Sequence, residues 1–162
     1  MKDQARNFAI ARHGNQKYGD EPYSFHLDAV ADIASAYGVQ AEVVAYLHDV
    51  VEDTATTVED IADRFGSFVA HCVDILTDEP GPDRKARKAA TYARMSKVSG
   101  EAELALLVKA ADRLANFRAC LAQANDAKLR MYKAEHKLFR EAVYRPDLCD
   151  VLWREMDEIA RG

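Results

Sequence analysis

The feature that most constrains this chain is Leu47-His48-Asp49-Val50-Val51-Glu52-Asp53, which places four ionisable groups inside an apolar stretch of helical periodicity. At about 100° per residue, Val43, Val44, Tyr46, Leu47, Val50 and Val51 fill one arc, and His48, Asp49, Glu52 and Asp53 share the remainder with Ala45. The polar groups therefore form one face of a predicted helix. Glu52 stands one turn from His48 and Asp53 one turn from Asp49, so three carboxylates crowd two turns with no Lys or Arg within a turn to relieve them. On the stretch alone two readings stay open. One is a solvated helix face, the usual fate of a charge run. The other is a face built around a divalent cation, for which an adjacent imidazole and carboxylate supply nitrogen and oxygen donors.

A chain of 162 residues fits one domain spanning 1–162, and a second independent one is not expected. Nearly half the residues are hydrophobic (49%), 30% are charged and only four are Pro, which describes a soluble globular protein and argues against disorder. A net charge of −5 gives no general electrostatic reason to bind nucleic acid or an anionic membrane. Any phosphate-bearing small molecule must then be met by local positive charge or by a metal. No apolar run has the length of a signal sequence or membrane span, so a cytoplasmic protein is expected. Cys72, Cys120 and Cys149 are odd in number and lack metal-type spacing, and read as reduced, partly buried thiols. Oligomeric state is left open, a homo-oligomer included.

Apolar periodicity predicts further helices over about 3–12, 24–37, 67–76, 101–124, 126–143 and 146–160. Thr56-Thr57-Val58-Glu59 supplies a capping box for another that runs to Gly66. The long polar loop 15–23 is of the kind that often carries function. His26 recurs with Val30, Ile33, Ala34 and Tyr37 and so lies on a buried stripe, where a lone His is ordinarily a core residue. His71 and Cys72 read as structural. Arg84, Lys85, Arg87 and Lys88 open a basic run that continues to Arg94 and Lys97; most of it reads as a solvated face, with one or two residues free to reach a phosphate. Asp112 projects at the edge of the apolar face formed by Leu104, Leu107, Val108, Ala111, Leu114 and Ala115, and a carboxylate there needs a partner. No strand alternation or internal repeat is evident. The expected fold class is all-α, a compact single domain of about eight helices.

Three helices thus carry a ligand-type side chain at or beside a buried face: His26, the His48-Asp49 doublet, and Asp112. Two imidazoles and two carboxylates suit Mn²⁺ or Fe²⁺, with Zn²⁺ also open. At this point the chain resembles a known family. The segments Pro22-Tyr23-Ser24-Phe25-His26, Leu47-His48-Asp49-Val50-Val51-Glu52-Asp53-Thr54, Phe65-Gly66 and Lys109-Ala110-Ala111-Asp112-Arg113-Leu114-Ala115-Asn116 are similar to those of HD-domain metal-dependent phosphohydrolases. Within that group they resemble the hydrolase domain of the bifunctional stringent-response enzymes and the single-domain small alarmone hydrolases. The resemblance runs from about Phe8 to Arg118.

The resemblance implies an HD-type fold in which His26, His48, Asp49 and Asp112 hold one Mn²⁺ while Glu52 and Asp53 position and deprotonate the attacking water. It also implies nucleotide contacts from Asn116 and Arg118, and release of pyrophosphate from the 3′ position of guanosine tetra- or pentaphosphate to leave GDP or GTP. The chain departs from the family in the loop Gln16-Lys17-Tyr18-Gly19-Asp20, which is one residue shorter and lacks adjacent basic residues. Lys17 is the candidate replacement, and Tyr18 a candidate surface for stacking on a base. Two alternatives follow: an HD phosphatase for another nucleotide or phosphorylated cofactor, and a non-catalytic nucleotide sensor on the same fold.

Overall fold

The computed structural model describes residues 1–162. Its helical segments are α1 (Lys2–His13), α2 (Tyr23–Ala34), α3 (Val39–Leu47), α4 (Val50–Asp53) and α5 (Val58–Phe65), followed by α6 (Ser67–Leu76), α7 (Arg84–Met95), α8 (Glu103–Ala122), α9 (Asp126–Val143) and α10 (Asp150–Arg161). Single 3-10 turns at Ser35–Tyr37 and Gly100–Ala102 extend α2 and lead into α8. The fold is all-α, as the periodicity predicts.

Helix α8 is the axis of the molecule. Every residue from Ala105 to Ala115 is buried, the charged Lys109, Asp112 and Arg113 included. A helix enclosed on all sides belongs at the centre of a fold, and α8 packs on α2, α3, α6, α9 and α10. The N-terminal helices cover one side of it through Leu27, Val30, Val44 and Leu47, while Phe117, Phe139 and Trp153 join it to α9 and α10. Helices α5 and α6 meet at Gly66 alone, whose φ of 94° and ψ of 160° would strain any side chain.

The structure corrects four boundaries. The helix expected to run unbroken through residues 43–53 is two helices, because α3 ends at Leu47 and α4 begins at Val50. The box capping α5 is Thr57 with Asp60, one residue later than the Thr56-Glu59 pair. The last helix starts at Asp150 instead of Pro146; Asp147 has a φ of 68° and precludes helix there. The loop before α2 holds a small antiparallel hairpin, β1 (Lys17–Tyr18) with β2 (Glu21–Pro22), too short for alternation to announce it. All three cysteines are buried and free.

Candidate active site

The break between α3 and α4 creates the site. His48 Nδ1–H donates to the carbonyl of Ala45 at 2.6 Å, drawing the ring back against the last turn of α3. Asp49 then takes a φ of −108° and ψ of −1°, the sparsely populated bridge conformation in which many active-site residues sit. The chain re-enters helix when the Asp53 amide donates to the Asp49 carbonyl at 2.9 Å. Neighbours on an unbroken helix diverge by about 100°; here His48 Nε2 and Asp49 Oδ2 lie 3.0 Å apart. His26 from α2 and Asp112 from α8 complete the group: Asp112 Oδ1 stands 3.0 Å from His26 Nε2 and 3.4 Å from His48 Nε2. Donor atoms of His26, His48 and Asp49 all fall within 4.8 Å of one another.

The surrounding polar groups fix each donor. With Nδ1–H committed to Ala45, His48 presents Nε2 as its free nitrogen, the tautomer that metal-binding imidazoles use. That nitrogen is buried, and it makes no well-directed hydrogen bond with either nearby carboxylate. Asp112 Oδ2 receives Lys109 Nζ at 3.4 Å, which turns Oδ1 toward the imidazoles, where Asn116 Nδ2 also donates to it at 3.2 Å. Tyr23 donates its hydroxyl to Asp49 Oδ2. Burial opposes a charge on His48, but Asp49 and Asp112 outweigh it and hold its pKa well above the ordinary 6.5, so the two carboxylates favour positive charge at Nε2, either a proton or a cation in its place. Burial likewise works against ionisation of Asp112, yet His48 and Lys109 keep its carboxyl well below the ordinary range, and His48 does the same for Asp49. Two anionic carboxylates closing on an orphaned imidazole nitrogen form a site that calls for positive charge. The donor set, nitrogen and oxygen without thiolate, fits a first-row divalent cation.

Glu52 and Asp53 lie beside this group on α4. Glu52 Oε1 accepts the amide of Asp78 at 2.7 Å, and Asp53 Oδ2 accepts Gln16 Nε2 at 3.0 Å. Burial raises the pKa of both carboxyls above their ordinary values, an effect reinforced by the charge of Asp49.

A cavity of about 300 Å³ opens over the cluster. Its lining includes Lys17, Arg84, Lys88, Lys109, Arg113 and Lys128, six cationic side chains, against the four carboxylates of Asp49, Glu52, Asp53 and Asp112. The lining thus carries a net charge of +2 with His26 neutral, inside a chain of net charge −5. Three of the cations are held in place: Glu135 accepts Arg84 at 3.0 and 3.2 Å and Arg113 at 3.1 Å, and Asp78 accepts Lys88 at 2.8 Å. Arg113 is clamped between the rings of Tyr132 and Phe139, 4.6 and 4.3 Å from their centroids.

The residues singled out in the sequence divide accordingly. His26, Asp49, Glu52, Asp53, Asp112, Asn116, Lys17 and Tyr18 all line the cavity, with His48 buried behind them. Arg118 is elsewhere: its guanidinium makes a two-pronged bond to Glu155 on the outer surface, at 2.6 and 2.8 Å, so it is not positioned to contact a nucleotide in this cavity. Tyr18 is stacked on His26, centroids 4.6 Å apart and planes 9° apart, and donates its hydroxyl to Asn116 Oδ1 at 2.6 Å. The ring reserved for a base therefore already covers a metal-type ligand. Of the basic run, Arg84 and Lys88 face the cavity, and Arg94 ties down the α6–α7 loop through the carbonyls of Asp74, Ile75 and Thr77. Sequence reasoning missed Glu135, Lys128, Tyr132 and Gln16. Arg113 was visible only as the neighbour of Asp112 in its motif.

An all-helical fold in which α2, the broken helix α3–α4 and the central helix α8 bring together an imidazole pair and a carboxylate pair defines a class, and the chain belongs to it: this is a member of the HD domain family, whose model matches residues 5–141. Among curated proteins, the chain is 39% identical over 119 residues to the guanosine-3′,5′-bis(diphosphate) 3′-pyrophosphohydrolase MESH1 of Danio rerio, an alignment covering 69% of this chain and 64% of that one. It is 31% identical over 144 residues to a guanosine-3′,5′-bis(diphosphate) 3′-pyrophosphohydrolase of Aquifex aeolicus, covering 87% of this chain. The chain spans only 21% of the length of that relative. Among solved structures, a metazoan ortholog of SpoT described as hydrolysing ppGpp superposes with a TM-score of 0.78 at 27% identity, covering 99% of this chain and 93% of that one.

Proposed function

We propose that the chain is a divalent-metal-dependent phosphohydrolase that removes the 3′-pyrophosphate of guanosine 3′,5′-bis(diphosphate), releasing pyrophosphate and GDP, or GTP from the pentaphosphate. The observation that carries this reading is the union of the His26, His48, Asp49 and Asp112 cluster with six cationic side chains in one cavity of an acidic protein. A site for a neutral or cationic substrate has no use for that cationic wall. A phosphate site without hydrolysis has no use for Glu52 and Asp53. The relatives named for the 3′-pyrophosphohydrolase reaction point to the same substrate.

In this reading His26, His48, Asp49 and Asp112 would hold one Mn²⁺, the tautomer of His48 having been set by Ala45. When bound, the cation would supply positive charge and lower the pKa of water. Asp53, with Glu52, accepts a proton from the attacking water; burial raises both carboxyls and makes them stronger bases than in solvent. Attack at the phosphorus on the ribose 3′ oxygen forms a P–O bond to water and breaks the bond to the 3′ oxygen, which leaves as the hydroxyl of GDP with a proton from solvent, while the carboxyl pair returns its proton to solvent. Arg84, Lys88, Lys109 and Arg113 receive phosphate oxygens, and Lys17, Lys128 and Asn116 border the nucleotide.

One observation favours a second reading within the same chemistry. The shortened hairpin holds Tyr18 over His26 and leaves Lys17 as its one basic residue, so the nucleotide end of the cavity differs from the family pattern. A phosphatase for another nucleotide or phosphorylated cofactor is consistent with that change. Measuring kcat/KM for ppGpp, a 2′-phosphorylated dinucleotide and nucleoside monophosphates separates the two. The proposal expects ppGpp to lead by orders of magnitude, and an ordinary mononucleotide in that place would overturn it.

A further inference from the structure

The loop between α1 and β1 contains a hydrogen-bonded chain that ends on Asp53. His13, the last residue of α1, is 7% exposed, and its Nδ1–H donates to Gln16 Oε1 at 2.8 Å. The Gln16 amide, oriented by that bond, donates through Nε2 to Asp53 Oδ2 at 3.0 Å. The orientation is not free to reverse. A flipped amide would set two acceptors face to face at Asp53 and two donors face to face at His13. The backbone of Gln16 is pinned as well: its amide donates to the His13 carbonyl at 3.1 Å, and its carbonyl accepts the Tyr23 amide at 3.1 Å.

The second branch of this network reaches the metal-type cluster. The His13 ring packs on Tyr23, centroids 4.5 Å apart, and Tyr23 donates to Asp49. That second contact is ring packing, whereas the hydrogen-bonded chain through Gln16 ends on Asp53 alone. Asp53 is the one that needs help. It ends the one-turn helix α4, too short to hold a side chain by its own packing, and of its two oxygens Oδ2 takes the Gln16 bond. With Oδ2 held, Oδ1 is left as the free acceptor and its direction is set.

The geometry points to His13 and Gln16 as positioning residues that fix the Asp53 carboxylate so that its second oxygen faces the attacking water. This rests on the reading of Asp53 as the proton acceptor. Neither residue touches substrate or reacting atoms. Their contribution is orientation, which acts on the chemical step and leaves substrate binding alone.

The test uses the full chain loaded with Mn²⁺ and ppGpp as substrate. Gln16→Met keeps the length of the side chain and removes both hydrogen bonds; His13→Ala removes the brace, and His13→Asn restores a donor near the Nδ1 position. Misplacement of a catalytic group costs about tenfold to a hundredfold in rate, so Gln16→Met and His13→Ala should lower kcat by that order with KM, metal content and melting temperature little changed. The double variant should be no worse than the worse single, because both cut the same chain. His13→Asn should recover most of the loss. Equal damage from His13→Asn and His13→Ala, a loss confined to KM, or multiplicative effects in the double variant would each overturn the positioning role. Asp53→Asn, run in parallel, separates the two levels. Full turnover in Asp53→Asn removes the base assignment itself, whereas an inactive Asp53→Asn with a normal Gln16→Met removes only the relay.

Discussion

The two walls of the cavity are built on opposite plans. On the side built by α2, the α3–α4 break and Asp112 of α8, lone pairs converge: Asp49 and Asp112 crowd the Nε2 nitrogen of His48, with no Lys or Arg closer than Lys109 on the far oxygen of Asp112. On the α7–α9 side, cations are distributed and three of them are already answered, Arg84 and Arg113 by Glu135 and Lys88 by Asp78. The first wall is incomplete without an added charge. The second is a finished framework that holds guanidinium and ammonium groups at fixed points for a substrate that brings its own negative charge. Removing a group from the first wall should therefore abolish chemistry, while removing one from the second should weaken binding by degrees.

The largest effects belong to the first wall. His48→Ala or Asp112→Ala should lose both bound metal and turnover. In the parent, Mn²⁺ at a hundredfold excess over its dissociation constant should add about 2.7 kcal/mol of stability, seen as a rise in melting temperature that these variants lack. Equal melting curves with and without chelator in the parent would break the claim that this wall is completed by a cation. Next comes Asp53→Asn, where loss of the proton acceptor should lower kcat by about 10²- to 10⁴-fold while metal analysis still finds near one ion per chain.

The second wall should respond more gently. Arg84→Ala or Lys88→Ala removes one charged hydrogen bond to phosphate, worth about 1.5–3 kcal/mol, so KM should rise roughly ten- to a hundredfold with kcat changed less, and the parent's KM should rise with salt. Glu135→Gln sharpens the contrast further. It makes the wall more positive but loosens the bonds that aim Arg84 and Arg113, and KM should rise a few fold; a fall in KM would show that charge matters there more than placement. The smallest effect belongs to Arg118→Ala, which breaks a surface pair whose Arg118 side chain is 51% exposed. Exposed pairs are worth about 0.2–1 kcal/mol, and steady-state kinetics should not move.

The same contrast explains what the sequence discloses. The metal-type wall is legible because its residues violate their surroundings: a His-Asp doublet in an apolar run, and Asp112 at the rim of the stripe that becomes the buried centre of α8. The break at His48 is not legible, because Val50 and Val51 continue the apolar period across it and the bond to the Ala45 carbonyl that goes with it is made by the side chain. The basic wall is hidden for another reason. Arg84 and Lys88 look like any solvated charge run, and nothing in the local sequence says that Glu135, more than forty residues on, will meet Arg84. Arg118 shows the converse, a basic residue two positions from Asn116 whose helical phase turns it out of the cavity lining to an exposed pair with Glu155.

The central claim is that one cavity joins a cation-requiring wall to a phosphate-receiving wall for a single hydrolysis. The measurement that tests it most directly is incubation of the purified, metal-stripped protein with ppGpp, with and without added Mn²⁺, resolving the products by anion-exchange chromatography. The account predicts equimolar pyrophosphate and GDP, formed only when Mn²⁺ is present. Protein that binds one Mn²⁺ per chain and leaves ppGpp intact would contradict it.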